Sequence, residues 1–428
     1  MKSTRNNKKR INIILISILV TLLVVGLAIF SAISTNKEQT TNNDNIAELT
    51  DDNNHENADG ERDNSSDESM EDVEEDVEEE RFTNLRISAA GDIMFHSTQI
   101  NSGYDENSKT YDFKPFFEDV APILSAADLA IANFESTLAG AEKGYSGYPM
   151  FNAPDETVEA IKYAGIDVIS TVNNHSLDTW RDGLKRTVKF FNENGIDTVG
   201  TYAEPPKSRV LIKEINEIKI AILAYTESTN GLGDQYPPEE LNNMLNLMKK
   251  ERILEDIAEA KQLEADFIIT FMHWGNEYVT EPNETQVEYA NMMAEAGVDL
   301  ILGSHPHVIQ KSDVIKMENH ETFVIYSLGN FISNQRKETL GDHRELTEDG
   351  VIVHIDIEKN HLTNETAITN VEYTPTWVYR HPIGGNKYSY KILPITDSVL
   401  SSEISQEYKN RMERSYEATM SKMMDHPF

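Results

Sequence analysis

"DLILGSHPHV", residues 299–308, carries an aliphatic run straight into two histidines separated by one proline. The run has the length of a buried strand, and Pro306 biases His305 toward an extended backbone. In an extended segment, side chains two apart point to the same side, so His305 and His307 would share a target. Metal capture is one use of such a pair, and a polar loop end that binds nothing is the other. With only 12 histidines in 428 residues, the choice depends on what stands at the other strand ends.

The same pattern recurs outward from this stretch. "LRISAAGD", "DLAIANFE", "DVISTVNNH", "DFIITFMHW" and "TFVIYSLGN" are further short apolar runs. Helical patterns lie between them, near residues 115–126, 154–164, 180–194, 238–263 and 284–297. "APDETVEAIKYAG", for example, has Pro154 early, acids in its first turn and Gly165 as a stop. "VLIKEINEIKIAILAY", residues 210–225, reads as a hairpin turning at Asn216. "GVIVHIDIEK" and "NETAITNVEYTPTWVY" alternate like antiparallel strands, and the residues after 396 look helical. The class is α/β.

The runs end in Asp92, Glu135, Asn174 with His175, His273, His305 with His307, and Asn330. In α/β sheets, sites form where loops converge at the carboxyl ends of strands. Singly, each residue has a plain reading: a turn cap for Asp92, an ion-pair partner for Glu135, turn chemistry for the asparagines, a structural histidine at 273. Six such endings in order make a constellation. Its oxygen and nitrogen donors suit Mn, Fe or Zn, as one ion or two, better than metals that prefer sulfur.

The rest of the chain bounds where this chemistry operates. There is no cysteine, which excludes disulfides, thiolate metal sites and cysteine nucleophiles. "MKSTRNNKKR" is basic, and no charge follows from Ile11 through Asn36. An apolar core of this length, preceded by basic residues, predicts a signal anchor over 11–34 with its N-terminus cytoplasmic. A cleaved signal peptide is the rival, but its apolar core is usually shorter and no small-x-small cleavage site follows. Residues 37–80 hold 19 acids against Lys37 and Arg62 and no aromatic side chain, so 35–82 is expected to be a disordered spacer. Taking the linker's −17 and the +5 of the first ten residues from −35 leaves −23 for residues 81–428. Nucleic acid and anionic lipid are therefore not expected partners for that surface.

"GDIMF", "NFES", "NNHSLD", "HWGNEY", "GSHPHV" and "YSLGNF", in this order, resemble the CapA family of poly-gamma-glutamate capsule biosynthesis proteins. That family is similar in turn to calcineurin-like metallophosphoesterases. The resemblance implies a four-layer αββα sandwich with its core over 83–335, strands completing it over 336–396 and a helical segment over 397–428. It implies metal ligation by Asp92, Glu135, Asn174, His273, His305 and His307, with His175 as the catalytic histidine. Asn133, Asn173, Glu277 and Asn330, in or beside the same motifs, are the expected substrate-binding residues. Two departures bear on a dinuclear centre: Met94 stands where the phosphoesterase pattern has histidine, with His96 two residues on, and Glu135 replaces an aspartate. Two functions stay open. One is a membrane-anchored, extracytoplasmic component of poly-gamma-glutamate synthesis and export, working beside membrane-embedded synthase subunits on an anionic polymer. The other is an extracellular metal-dependent hydrolase of a phosphoester or gamma-amide substrate.

Overall fold

The computed structural model describes residues 81–428 apart from 386, 426 and 427. The expected anchor over 11–34 and nearly all of the acidic linker lie outside these residues. Among the described residues, no helix is long and apolar enough to cross a membrane.

Two sheets form the centre. The first orders its strands Lys387–Pro394, Glu365–Gly384, Asp349–Asn360, Phe82–Ile93, Leu129–Phe134, Val168–Ser170 and Asp197–Val199, with Asn330–Ile332 also paired to Phe82–Ile93. The second runs Ser312–Lys316, Glu321–Ile325, Leu300–Ser304, Phe267–His273, Ile218–Thr226 and Leu211–Ile215. Parallel strands occupy the middle of the second sheet, and antiparallel strands close its edges.

Side-chain alternation explains the layering. Ile220, Ile222 and Ala224 join Ile87, Ile131 and Val353 in a core between the sheets. Their neighbours Ala221, Leu223 and Tyr225 face outward, onto Ile253, Ile257, Ala290 and Met293 of the Lys250–Gln262 and Glu284–Glu295 helices. The outer face of the first sheet, with Ala130, Ala132 and Phe134, is covered by Phe116, Phe117, Val158, Ile161 and Phe191 from its own helices. A strand apolar on both faces reads as a continuous hydrophobic run, which is why these runs were visible in sequence. The arrangement is helix, sheet, sheet, helix.

The hairpin turns at Asn216, as expected, with Asn216 and Glu217 at φ 50° and 61°, the pairing a two-residue hairpin turn needs. Two expected helices are broken. The 115–126 stretch forms two short helices, Lys114–Phe117 and Ala121–Leu124. The 238–263 stretch forms Pro238–Met244 and Lys250–Gln262, because the chain between them makes isolated bridges, Leu245 to Thr201 and Leu247 to Thr226. There Asn246 N donates to Gly200 O and Met248 N to Thr226 O. Helical periodicity persists across this break, but sheet hydrogen bonds at the edge win locally. The Gln406–Met420 helix docks on the site side: Arg411 pairs with Glu338 and Glu348, and Arg414 with Asp349 at 3.1 Å.

Candidate metal centre

Every candidate residue sits at or just beyond the carboxyl end of a strand, or, for Asn330, at the start of one laid beside such an end. Register brings them together: Asp92 is level with Asn133 and Asn330, and His273 with Ser304. Gly91 permits this convergence. A Cβ there would lie 2.0 Å from Gly329 O, so only glycine lets the 328–330 backbone cross the strand beside Asp92. The crossing is sealed by Asp92 N donating to Gly329 O at 3.0 Å.

The histidine pair converges by a route the sequence did not suggest. Neither residue is extended: His305 has φ 95° and His307 φ 56°. Left-handed backbone in a non-glycine residue costs energy and gathers at functional sites. It turns both rings inward where β alternation would have sent them along one face. Their centroids lie 6.0 Å apart, and His305 is 4.7 Å from His273.

Three donor groups form, each with ligand atoms mutually within 4.8 Å: Glu135, His273 and His305; Asp92, Glu135 and His307; and Glu277, His305 and His307. Glu135 belongs to the first two. Its Oε1 is 3.6 Å from His273 Nε2 and 3.8 Å from His307 Nε2. Asn174 joins through Oδ1, 3.1 Å from His273 Nε2. His307 Nδ1 is 3.3 Å from Asp92 Oδ2.

Protonation within this cluster reflects an excess of buried negative charge. Burial and then Asp92 push the Glu135 carboxyl well above the usual carboxylate range. Burial alone would lower His307, but Glu135 and Asp92 outweigh it and lift the imidazole to about 9. Burial, then its histidine neighbours, holds His273 well below the usual range, and burial followed by His307 lowers His305 to about 4. One carboxyl that recruits a proton, beside two imidazoles that refuse one, marks a place for a cation.

The fit to a divalent metal rests on unpartnered atoms. Both oxygens of fully buried Glu135 and Nδ1 of His305 have no hydrogen-bond partner. Such groups are costly to bury unmet, and all three are metal-donor atoms.

The remaining candidates separate by role. Asn133, Asn173 and Asn330, expected at a substrate, are buried and spend their amides on protein. Asn133 Nδ2 donates to Asp92 Oδ1 at 2.8 Å, and Asn173 Nδ2 to Phe134 O at 2.9 Å. Asn330 Nδ2 reaches Thr347 O at 2.9 Å, and its Oδ1 lies 3.2 Å from His307 Nδ1. Asn133 and Asn330 thus orient the donors Asp92 and His307, and Asn173 braces the chain at Phe134. Glu277 does line one, a space of about 290 Å³ shared with His96, His175, Tyr278, His307 and Asn334. His175 is set by Asp178, whose Oδ2 lies 2.8 Å from Nδ1 and accepts from Phe151 N at 2.7 Å. Asp178 was legible within "NNHSLD", three residues after the histidine, while Phe151 and Asn334 carry no local signal. His96, two residues past Met94, joins none of the three donor groups.

The profile of the family described as "Bacterial capsule synthesis protein PGA_cap" matches residues 86–335, a span that holds every residue of the three donor groups. The chain belongs to the PGA_cap family. Among relatives of this PGA_cap chain, "Capsule biosynthesis protein CapA" of Bacillus anthracis is 32% identical over 263 residues, 59% of this chain and 60% of that one. "PGA biosynthesis protein CapA" of Bacillus subtilis (strain 168) is 30% identical over 249 residues, 57% and 61% of the two chains. The matched span is thus about three fifths of each of these curated relatives. Among solved structures, a calcineurin-like phosphoesterase, YfkN from Bacillus subtilis, superposes with TM-score 0.41 at 14% identity, covering 80% of this chain and 99% of that one. The NAD nucleotidase NadN of Haemophilus influenzae gives TM-score 0.44 at 13% identity, over 81% and 65%. Superpositions this loose carry no weight for the chemistry.

Proposed function

We propose that the protein is a membrane-anchored, extracytoplasmic component of capsular poly-gamma-glutamate synthesis or export, built around a divalent-metal site. The PGA_cap match over residues 86–335 carries this reading. The names of the two Bacillus relatives, a capsule and a PGA biosynthesis protein, support it. The basic, then apolar, then acidic order of residues 1–80 supports the anchor, with the domain outside the cytoplasmic membrane and beside membrane-embedded synthase subunits.

Asp92, Glu135, Asn174, His273, His305 and His307 would hold the metal, as Mn, Fe or Zn. Such an ion supplies Lewis acidity toward an ester, amide or phosphoryl oxygen. Ser304 Oγ, 2.9 Å from His273 Nδ1, and Asn133, on Asp92, keep those donors aimed before any cation arrives. His175 holds its Nδ1 proton on Asp178 and turns Nε2 toward the cavity, the arrangement of a general acid for a leaving group. A cation here also inverts the local field, which lets an anionic polymer approach a surface that carries −23 over residues 81–428.

The His175–Asp178 couple favours a second reading, an extracellular metal-dependent hydrolase of a phosphoester or gamma-amide unconnected to capsule. Deleting the gene and measuring surface polyglutamate separates the two. Loss of polymer, restored by the wild-type gene, supports the capsule role. Intact polymer with loss of an extracellular phosphoesterase activity supports the hydrolase.

A further inference from the structure

His96 lies just past the Phe82–Ile93 strand, two residues beyond the position where a ligand was expected, and belongs to none of the three donor groups. Its ring is held from two sides. Asn334 N donates to Nδ1 at 3.3 Å, and the Phe151 ring stands edge-on at 5.2 Å. Gln99 Oε1 also lies 3.3 Å from Nδ1, a contact that would need the proton on that nitrogen. The backbone N–H of Asn334 can only donate, and Gln99 Oε1 already accepts from His96 N at 2.9 Å. The obligate donor at Asn334 therefore assigns the lone pair to Nδ1 and the proton to Nε2. Nε2 has no protein partner among the described residues, and the side chain lines the 290 Å³ cavity with His175 and His307.

Phe151 makes the arrangement a unit. Its ring touches His96 on one side and His175, at 4.8 Å, on the other, and its N–H fixes Asp178 behind His175. Asn334 is fixed in turn, its Oδ1 accepting from Tyr390 Oη at 2.7 Å and Arg380 Nη1 at 2.8 Å. Burial lowers His96 to about 4 against the Gln99 contact, with His307 and His175 adding to the lowering, which keeps the ring neutral at working pH.

We propose that His96 is a substrate-positioning residue whose Nε2–H binds an anionic oxygen of a phosphoryl or carboxyl group in this cavity, which the metal donor His307 also lines. A preoriented donor costs nothing to reorganise when the substrate arrives. Glu277, a carboxylate lining the same cavity, cannot donate to such an oxygen, whereas an unpartnered Nε2–H can. The assignment rests on the metal-site reading above.

The test is calorimetric titration of inorganic phosphate into the manganese-loaded full chain, with His96→Phe and His96→Gln beside wild type. Phenylalanine keeps the ring contact with Phe151 and removes the donor, while glutamine places an amide N–H near the Nε2 position. Both variants are expected to load metal as wild type does. His96→Phe should bind phosphate about 10- to 100-fold more weakly, the worth of one hydrogen bond to a charged group, and His96→Gln should recover most of that loss. Equal phosphate affinity in wild type and metal-loaded His96→Phe overturns the assignment and leaves the metal site standing. A wild type that takes up no metal overturns both. A glutamine variant as weak as phenylalanine also counts against the donor role, since a purely structural histidine would respond that way.

Discussion

Replacing Glu135 by glutamine should move stability in opposite directions with and without metal. In the metal-free protein, Glu135 is fully buried, both oxygens are unpartnered, and Asp92 raises its pKa further. Glutamine keeps the shape, ends the competition with Asp92 for negative charge, and brings N–H groups within 4.8 Å of Asp92 and of His305, whose Nδ1 is bare. Satisfying such a group is worth about 1–3 kcal/mol. For roughly 350 folded residues the unfolding entropy is about 0.7 kcal/mol per kelvin, so the metal-free variant should melt about 1–4 °C above wild type. Metal at a hundredfold excess over its dissociation constant adds about 2.7 kcal/mol to wild type, or about 4 °C. Glu135 serves two donor groups, so its loss should weaken binding by at least about 100-fold, the upper range for a mere supporting residue. At the same metal concentration the variant would then gain only about 0.4 kcal/mol, below 1 °C. Scanning calorimetry of chelator-stripped protein, with and without added manganese or zinc, reads both shifts. A metal-free variant that melts below wild type, or equal metal-induced shifts in the two proteins, would refute the reasoning.

Two further outcomes are expected. Burial lifts Asp349 to about 7 despite Arg414, so the folded state holds this proton more tightly than the unfolded chain does. The resulting stability is full at low pH and is lost as pH rises toward 7, by up to about 1.4 kcal/mol per unit. Asp349→Asn should lack that slope in melts between pH 4.5 and 6.5, and parallel curves for the two proteins would contradict it. Protease added to intact cells should cut within the acidic residues 37–80 and release the folded domain, and full protection of that segment would contradict an outward-facing anchor.

Much of the site could be read locally because each candidate ends an apolar run. A strand buried on both faces is continuous in sequence, and a polar donor at its end stands out against it. Asp92, Glu135, Asn174, His273, His305 and His307 were found in this way, and the structure brings them together. What stayed illegible depended on partners far along the chain. Asn133 and Asn330 looked like substrate residues because a motif does not show that their amides are taken by Asp92 and Thr347. The setting of His96 was equally hidden, since the residue that donates to its ring, Asn334, lies 238 positions away.

By itself, the sequence determined the α/β class, the alternation of apolar runs with helical stretches, the hairpin at Asn216 and the donor set that a hard or borderline cation would choose. These follow from side-chain periodicity and residue chemistry, which are properties of short stretches. Only the tertiary structure decided that Glu135 is common to two donor groups, that His305 and His307 converge through left-handed backbone, and that the helix pattern over 238–263 yields to bridge hydrogen bonds at Asn246. Each of these is a distance or a dihedral angle set by which strands lie side by side, and sheet register is a cooperative outcome that no single segment encodes.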